Sequence, residues 1–159
     1  MKMVIYGILI AAALLVPTRP LELGKLKPVE VIRIEKRGQQ VIIETDTGDS
    51  GHGKTVNQAV WDLRETTAGM VYLDTAEYIL LPKDETVLKQ VIPYLRNSVR
   101  LCHWEGEIKL EEVGEYLDVH RPSVRLKQYA ERVPLQTLEA KNGRLRLREK
   151  NIEIREKTT

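Results

Sequence analysis

Val41-Ile42-Ile43-Glu44-Thr45-Asp46-Thr47-Gly48-Asp49-Ser50-Gly51-His52-Gly53-Lys54-Thr55 runs from an apolar strand through a glycine-rich segment towards a helix. Beyond it, Val56, Ala59, Val60 and Leu63 recur at i, i+3, i+4 and i+7, which predicts an amphipathic helix over residues 55–67 with Ala68-Gly69 as its stop. Before it, residues 28–37 carry Val29, Val31, Ile32 and Ile34, and residues 40–46 return as the second arm of a hairpin turned at Arg37-Gly38-Gln39. A hairpin leading into a helix sets the class as α/β or α+β, and residues 47–54 read as the connecting loop.

The same loop satisfies a phosphate-binding pattern. Gly48, Gly53, Lys54 and Thr55 fit G-x-x-x-x-G-K-T, in which backbone N–H groups cradle phosphate, Lys54 meets the β- and γ-phosphates and Thr55 holds magnesium. Asp74, after the apolar run Met70-Val71-Tyr72-Leu73, would support that metal through water, so this alternative implies Mg-ATP or Mg-GTP as cofactor. Two features oppose it. The strand before such a loop lies deep in a parallel sheet and is continuously apolar, whereas this one ends in Glu44-Thr45-Asp46. Four acids (Glu44, Asp46, Asp49 and Asp74) would also crowd a triphosphate with Lys54 as the evident offset. The plain strand-to-helix connection is the favoured reading.

Residues 70–73 and 78–81 read as a strand pair or one bent strand interrupted by Asp74-Thr75-Ala76. A helix is expected over 84–97, kinked or tightened at Pro93, then a strand over 99–105 and helices over 109–117 and 123–133. Asn142-Gly143 is a hairpin signal between 138–140 and 144–148, and 151–155 extends the strand series. The expectation is a mixed sheet packed with three to four helices, as a single α/β domain over residues 28–159.

The N-terminus sets the compartment. Residues 3–16 form an unbroken apolar run stopped by Pro17-Thr18-Arg19-Pro20. As a helix these fourteen residues reach about 21 Å, short of a hydrocarbon core of roughly 30 Å. Residues 1–19 are therefore expected to be a signal peptide or short membrane anchor, a hydrophobic helix followed by a linker over 20–27. The expected location is exported, extracytoplasmic or membrane-anchored, where nucleotide is scarce.

Charge and composition narrow the partners. With 25 basic and 23 acidic residues the net charge is +2, and with two Trp, six Tyr and no Phe there is little to stack on bases; nucleic acid is not expected as a partner. Between residues 141 and 157 seven basic residues face three acidic ones, and Arg144, Arg146 and Arg148 alternate along one strand face, which suits a solvated face or contact with anionic lipid. Cys102 is the single cysteine, which excludes an internal disulfide, and its adjacency to His103 on a strand turns the two to opposite faces. His103, Glu105 and Glu107 would share a face as a weak metal site or, more simply, a polar surface. Asp46-Thr47-Gly48 is the tripeptide of aspartic peptidases, which need a second aspartate from a dimer. Asp49-Ser50-Gly51 matches a segment of serine peptidases whose two barrels a mixed α/β chain does not supply. No catalytic set emerges.

From about residue 28 to 134 the chain resembles the N-terminal domain of the Ger(x)C family, the lipoprotein subunit of spore germinant receptors. The likeness lies in the first hairpin, the glycine-started helix Gly53-Lys54-Thr55-Val56-Asn57-Gln58-Ala59-Val60, the apolar segment 70–81, the helix ending in Tyr94-Leu95-Arg96, and the strand from Val99 into another helix. The chain departs from that family in lacking a lipid-accepting cysteine after the apolar run, and in carrying Asp74-Thr75-Ala76 where a histidine-containing turn is common. The resemblance implies a non-enzymatic domain of a bacterial-type envelope, related to sporulation or germination, acting with a protein partner at the membrane surface.

Overall fold

The computed structural model describes residues 26–83, 86–129 and 133–149. The apolar N-terminal helix and the strand expected over 151–155 lie outside them. Nine strands and four helices follow in chain order: β1 (Leu26–Pro28), β2 (Val31–Arg37), β3 (Gln40–Thr45), β4 (Ser50–Gly53), α1 (Val56–Thr66), β5 (Met70–Tyr72), β6 (Tyr78–Leu81), α2 (Thr86–Val91), β7 (Arg100–Glu105), α3 (Leu110–Val119), α4 (Leu126–Tyr129), β8 (Thr137–Lys141) and β9 (Arg144–Arg148). Seven of the strands form one mixed sheet in the order β4-β3-β2-β6-β7-β8-β9, and β1 pairs with β5 as a separate parallel ribbon.

The middle of the sheet is parallel. β2, β6, β7 and β8 run the same way, while the β2-β3-β4 meander and the β8-β9 hairpin add antiparallel margins. β6 stands fourth of seven, and its sequence Tyr78-Ile79-Leu80-Leu81 is buried at every position. A strand covered on both faces has no polar side to alternate with, which is why it reads as an apolar run. Ile79 and Leu81 face one core with Ile32, Ile34 and Leu101, under α1 (Ala59, Leu63), α2 (Leu88, Val91) and α4 (Leu126). Tyr78 and Leu80 face the other with Val31, Cys102 and Leu138, under α3 (Val113, Leu117).

Several sequence boundaries are corrected by packing. Leu26 and Lys27, expected to be linker, and Pro28, expected to open the first strand, form β1 instead, and Val29-Glu30 separates it from β2. Half of the expected loop over 47–54 is strand: Ser50–Gly53 is β4, antiparallel to β3 with Val41 opposite Gly53 and Glu44 opposite Ser50. Four residues with two glycines carry little strand propensity, and what holds them extended is α1 packed over them. Residues 70–73 and 78–81 are not partners; the 3-10 turn Leu73–Thr75 carries the chain from the ribbon into the main sheet. The helix expected over 84–97 tightens, as Pro93 predicts, into a 3-10 turn at Ile92–Tyr94. Of the helix expected over 123–133, residues 123–125 are not helical, Arg125 being bridged to Arg100, and the described helical part is the single turn Leu126–Tyr129.

Candidate functional site

The G-x-x-x-x-G-K-T residues are spread along a hairpin arm. Gly48 lies in the β3-β4 turn with φ 81°, and Gly53 ends β4. The His52 N–H donates to Asp62 Oδ2 (2.8 Å) and the Lys54 N–H to Gln58 Oε1 (2.9 Å), so both are directed at side chains of α1. Thr55 Oγ1 accepts from the Gln58 N–H (3.2 Å) and is the N-cap of α1. A Cβ on Gly51 would stand 2.1 Å from Ala59 O, and one on Gly53 2.5 Å from Gln58 Cβ. The glycines are thus accounted for by the close approach of a helix. The acids are dispersed: Glu44 pairs with Arg33, Asp46 accepts from the Glu30 N–H (3.2 Å), and Asp74 faces Arg96 at 3.9 Å.

The other candidates resolve as follows. Cys102 is buried under α3, burial pushes its thiol up to about 12, and His103 sits on the opposite face with Nδ1 3.3 Å from Leu81 O. His103, Glu105 and Glu107 do not form one face. β7 ends at Glu105, Gly106 turns the backbone at φ 90°, and Glu105 is held by Lys83 at 2.5 Å, which lowers its carboxyl below the usual range. Among the described residues no group of three or more His, Cys, Asp or Glu is placed to hold a metal ion. Arg144, Arg146 and Arg148 do share the exposed face of β9, with Arg148 Nε 3.0 Å from Glu139, while Leu145 and Leu147 turn towards α3, where the Leu147 N–H donates to Tyr116 Oη (2.9 Å).

A groove that the sequence did not announce lies where β5 meets α1 and the Ile92–Tyr94 turn. It encloses about 510 Å³ and is lined by Arg64, Met70, Tyr72, Asp74, Pro93 and Tyr94, among others. Alternation along β5 buries Val71 and turns Met70 (52% exposed) and Tyr72 (36%) outward. Tyr72 Oη donates to Met70 Sδ (3.2 Å), and Tyr94 Oη donates to Asn57 Oδ1 (2.7 Å), which fixes two aromatic walls. Asn57, Trp61 and Arg64 fall at i, i+4 and i+7 of α1, so Trp61, 65% exposed, continues the same face. Its signal was hidden because Met70-Val71-Tyr72-Leu73 is apolar throughout, so the outward positions are indistinguishable from the inward ones.

A titratable cluster closes the end of the sheet where β2 begins. Tyr78 Oη donates to Asp118 Oδ1 (2.9 Å), and burial, with that bond and charge, pushes the phenol up to about 12. Burial, then the charges of Asp118 and Asp46, raise the Glu30 carboxyl above its ordinary 4.5. Burial also raises Asp46, against the backbone N–H groups that it accepts from. Comparison of the chain with protein-family models, with curated proteins and with solved structures finds no match in any of the three.

Proposed function

We propose that the chain is an exported or membrane-tethered, non-enzymatic accessory domain that binds a protein partner at the outer face of a bacterial-type membrane. The observation that carries the reading is the open groove with Met70 and Tyr72 outward and Trp61 on the adjoining helix face. Large apolar and aromatic side chains left in solvent around a concave surface are the ordinary composition of a binding site for another chain. Arg64 and Asp74 add one charge of each sign to the groove, which suits a segment bearing an apolar or aromatic anchor next to charged groups. The apolar run over 3–16 connects to the domain at β1, and β1 pairs with β5, whose residues line this groove. A tether attached there holds the groove near the membrane, where a membrane-bound partner is concentrated. The resemblance to the Ger(x)C family supports the same reading.

The test is location. In bacteria expressing the full chain with a C-terminal tag, added protease is expected to remove the tag from intact cells. A tag that resists until the cells are lysed overturns the export reading. Calorimetry of the full chain with Mg-ATP, beside Lys54→Ala, tests the alternative: micromolar binding lost in the variant would replace this function with a nucleotide-dependent one.

A further inference from the structure

Four arginines from separate parts of the chain line one pocket at the end of the sheet where β2, β6 and β7 begin. Arg96, Arg100, Arg121 and Arg125, with Thr75 and Ser98, surround about 310 Å³, and Glu77 is the carboxylate among the lining residues. Arg100 is the first residue of β7; its N–H donates to Glu77 O (2.8 Å) and its Nη1 to Pro122 O (2.6 Å). Arg125 is bridged to Arg100 through the backbone, and Arg121 Nε donates to Asp118 O (3.1 Å) at the end of α3. Those carbonyl bonds use one guanidinium N–H of Arg100 and one of Arg121, out of five on each. Among the described residues, Arg100, Arg121 and Arg125 form no ion pair, and Asp74 stands 3.9 Å from Arg96. Like charges gathered in a concavity repel one another, and an anion placed between them relieves the repulsion.

We propose that Arg96, Arg100, Arg121 and Arg125 form a binding site for a phosphate group, supplied by the headgroup of an anionic lipid. Several guanidinium forks around one bowl suit a tetrahedral oxyanion, which offers acceptor oxygens in several directions and accepts paired N–H bonds. None of the pocket's lining residues is aromatic, so it holds no platform for a nucleobase. The position argues for lipid as the source. Thr75 lines the pocket and its Oγ1 accepts from the Val29 N–H (3.0 Å), while the Glu77 N–H donates to Glu30 O (2.9 Å); the pocket therefore adjoins the point where the N-terminal segment joins the sheet. The phosphate chemistry stands on the pocket alone, whereas the lipid source rests on the membrane-tethered reading. The hairpin tip at Asn142-Gly143 lies at the opposite end of the strands, so the arginines of β9 serve as an internal comparison.

The experiment is modification of the full chain by phenylglyoxal, an arginine-selective dicarbonyl, with the rate at each arginine read by mass spectrometry. Saturating inorganic phosphate, against chloride at equal ionic strength, is expected to slow modification of Arg96, Arg121 and Arg125 about tenfold and to leave Arg144 and Arg146 unchanged. Arg125→Gln, a substitution in a partly exposed side chain, is expected to remove the protection of Arg96 and Arg121; Arg144→Gln is expected to keep it. Vesicles of phosphatidylcholine with phosphatidylglycerol are expected to protect the same pocket residues, and vesicles of phosphatidylcholine alone are not. No protection by phosphate, or equal protection at Arg144, overturns the site. Protection by phosphate without protection by anionic vesicles overturns the lipid source and makes the ligand a soluble phosphate, an outcome separate from the protease test of location. Protection by anionic vesicles at Arg144 and Arg146 instead assigns the lipid contact to β9 and overturns the lipid source proposed for the pocket.

Discussion

At Gly51 the obstruction to a side chain is the backbone oxygen of Ala59, which cannot rotate away, with Leu63 Cβ 2.6 Å from the same point. Overpacking a core ordinarily costs about 1–3 kcal/mol, and Gly51→Ala is expected at or above the top of that range because α1 must lift off β4. Gly48→Ala meets nothing within 4 Å and suffers only its positive φ, so a loss near 1 kcal/mol is expected. Urea unfolding of both variants checks the contrast, and equal losses would mean that α1 does not rest on β4 as described. The glycines were legible in the sequence, but their cause was not, because a phosphate loop and a helix pressed against a strand both demand a missing Cβ. A second expectation concerns Glu30, whose carboxyl is raised by burial and by its acidic neighbours. A folded state that holds this proton more tightly than the unfolded chain loses stability as pH rises from the ordinary value of 4.5 through the raised one. Glu30→Gln removes that loss, so its unfolding midpoint should fall less steeply with pH and should exceed the wild-type midpoint at neutrality. The gain is expected to be at most ~1 kcal/mol because solvent screens a partly exposed carboxyl. Midpoints measured from acid to neutral pH decide it, and parallel curves would count against the cluster.

For whole elements, α1 was read closely from the sequence because its buried positions Val56, Ala59, Val60 and Leu63 carry the helical period and Thr55 opens it. β4 escapes a reading from sequence because four residues are too few to show a period, and tertiary packing alone sets its state. Asn142-Gly143 needed no context: both residues adopt positive φ (52° and 69°), as a tight hairpin turn requires, and β8 and β9 follow. The cap of α1 yields a prediction that separates the two readings of Thr55. As an N-cap, Thr55→Ala should cost about 1 kcal/mol, and Thr55→Asp should be nearly neutral because a carboxylate caps as well. A magnesium- and phosphate-binding threonine makes no such demand, since its hydroxyl would be turned to the ligand and an added negative charge would be harmless only to stability, not to binding. Thermal unfolding of the two variants without nucleotide is the measurement. A Thr55→Asp variant as unstable as Thr55→Ala would remove the cap from the account of this segment.

Across the whole molecule, the class of mixed α/β sheet was legible because strands and helical periods alternate along the chain, and β6 announced its two-sided burial through an unbroken apolar run. The order of strands was not legible, since nothing local in residues 26–28 or 70–72 says that they leave the main sheet to pair with each other. Nor was the arginine pocket, whose four members span residues 96–125 with no basic run among them. The division into a seven-stranded sheet and a two-stranded ribbon has a dynamic consequence. β6 lies between two strands and under helices on both faces, so its amides open only when the domain unfolds. Among the described residues β1 and β5 are three residues each, with one partner apiece and two of the three β5 side chains turned outward, and a two-stranded ribbon alone is marginal in water. Hydrogen exchange on the full chain is therefore expected to run about 10³-fold faster or more at the β5 amides than at those of β6, a gap of roughly 4 kcal/mol in opening free energy. Because β5 lines the groove, such a gap means that this wall can move while the sheet beneath stays closed, which under the proposed function lets it adjust to what binds there. Equal protection of β5 and β6 would instead make the ribbon part of the global folding unit, and the groove a rigid surface.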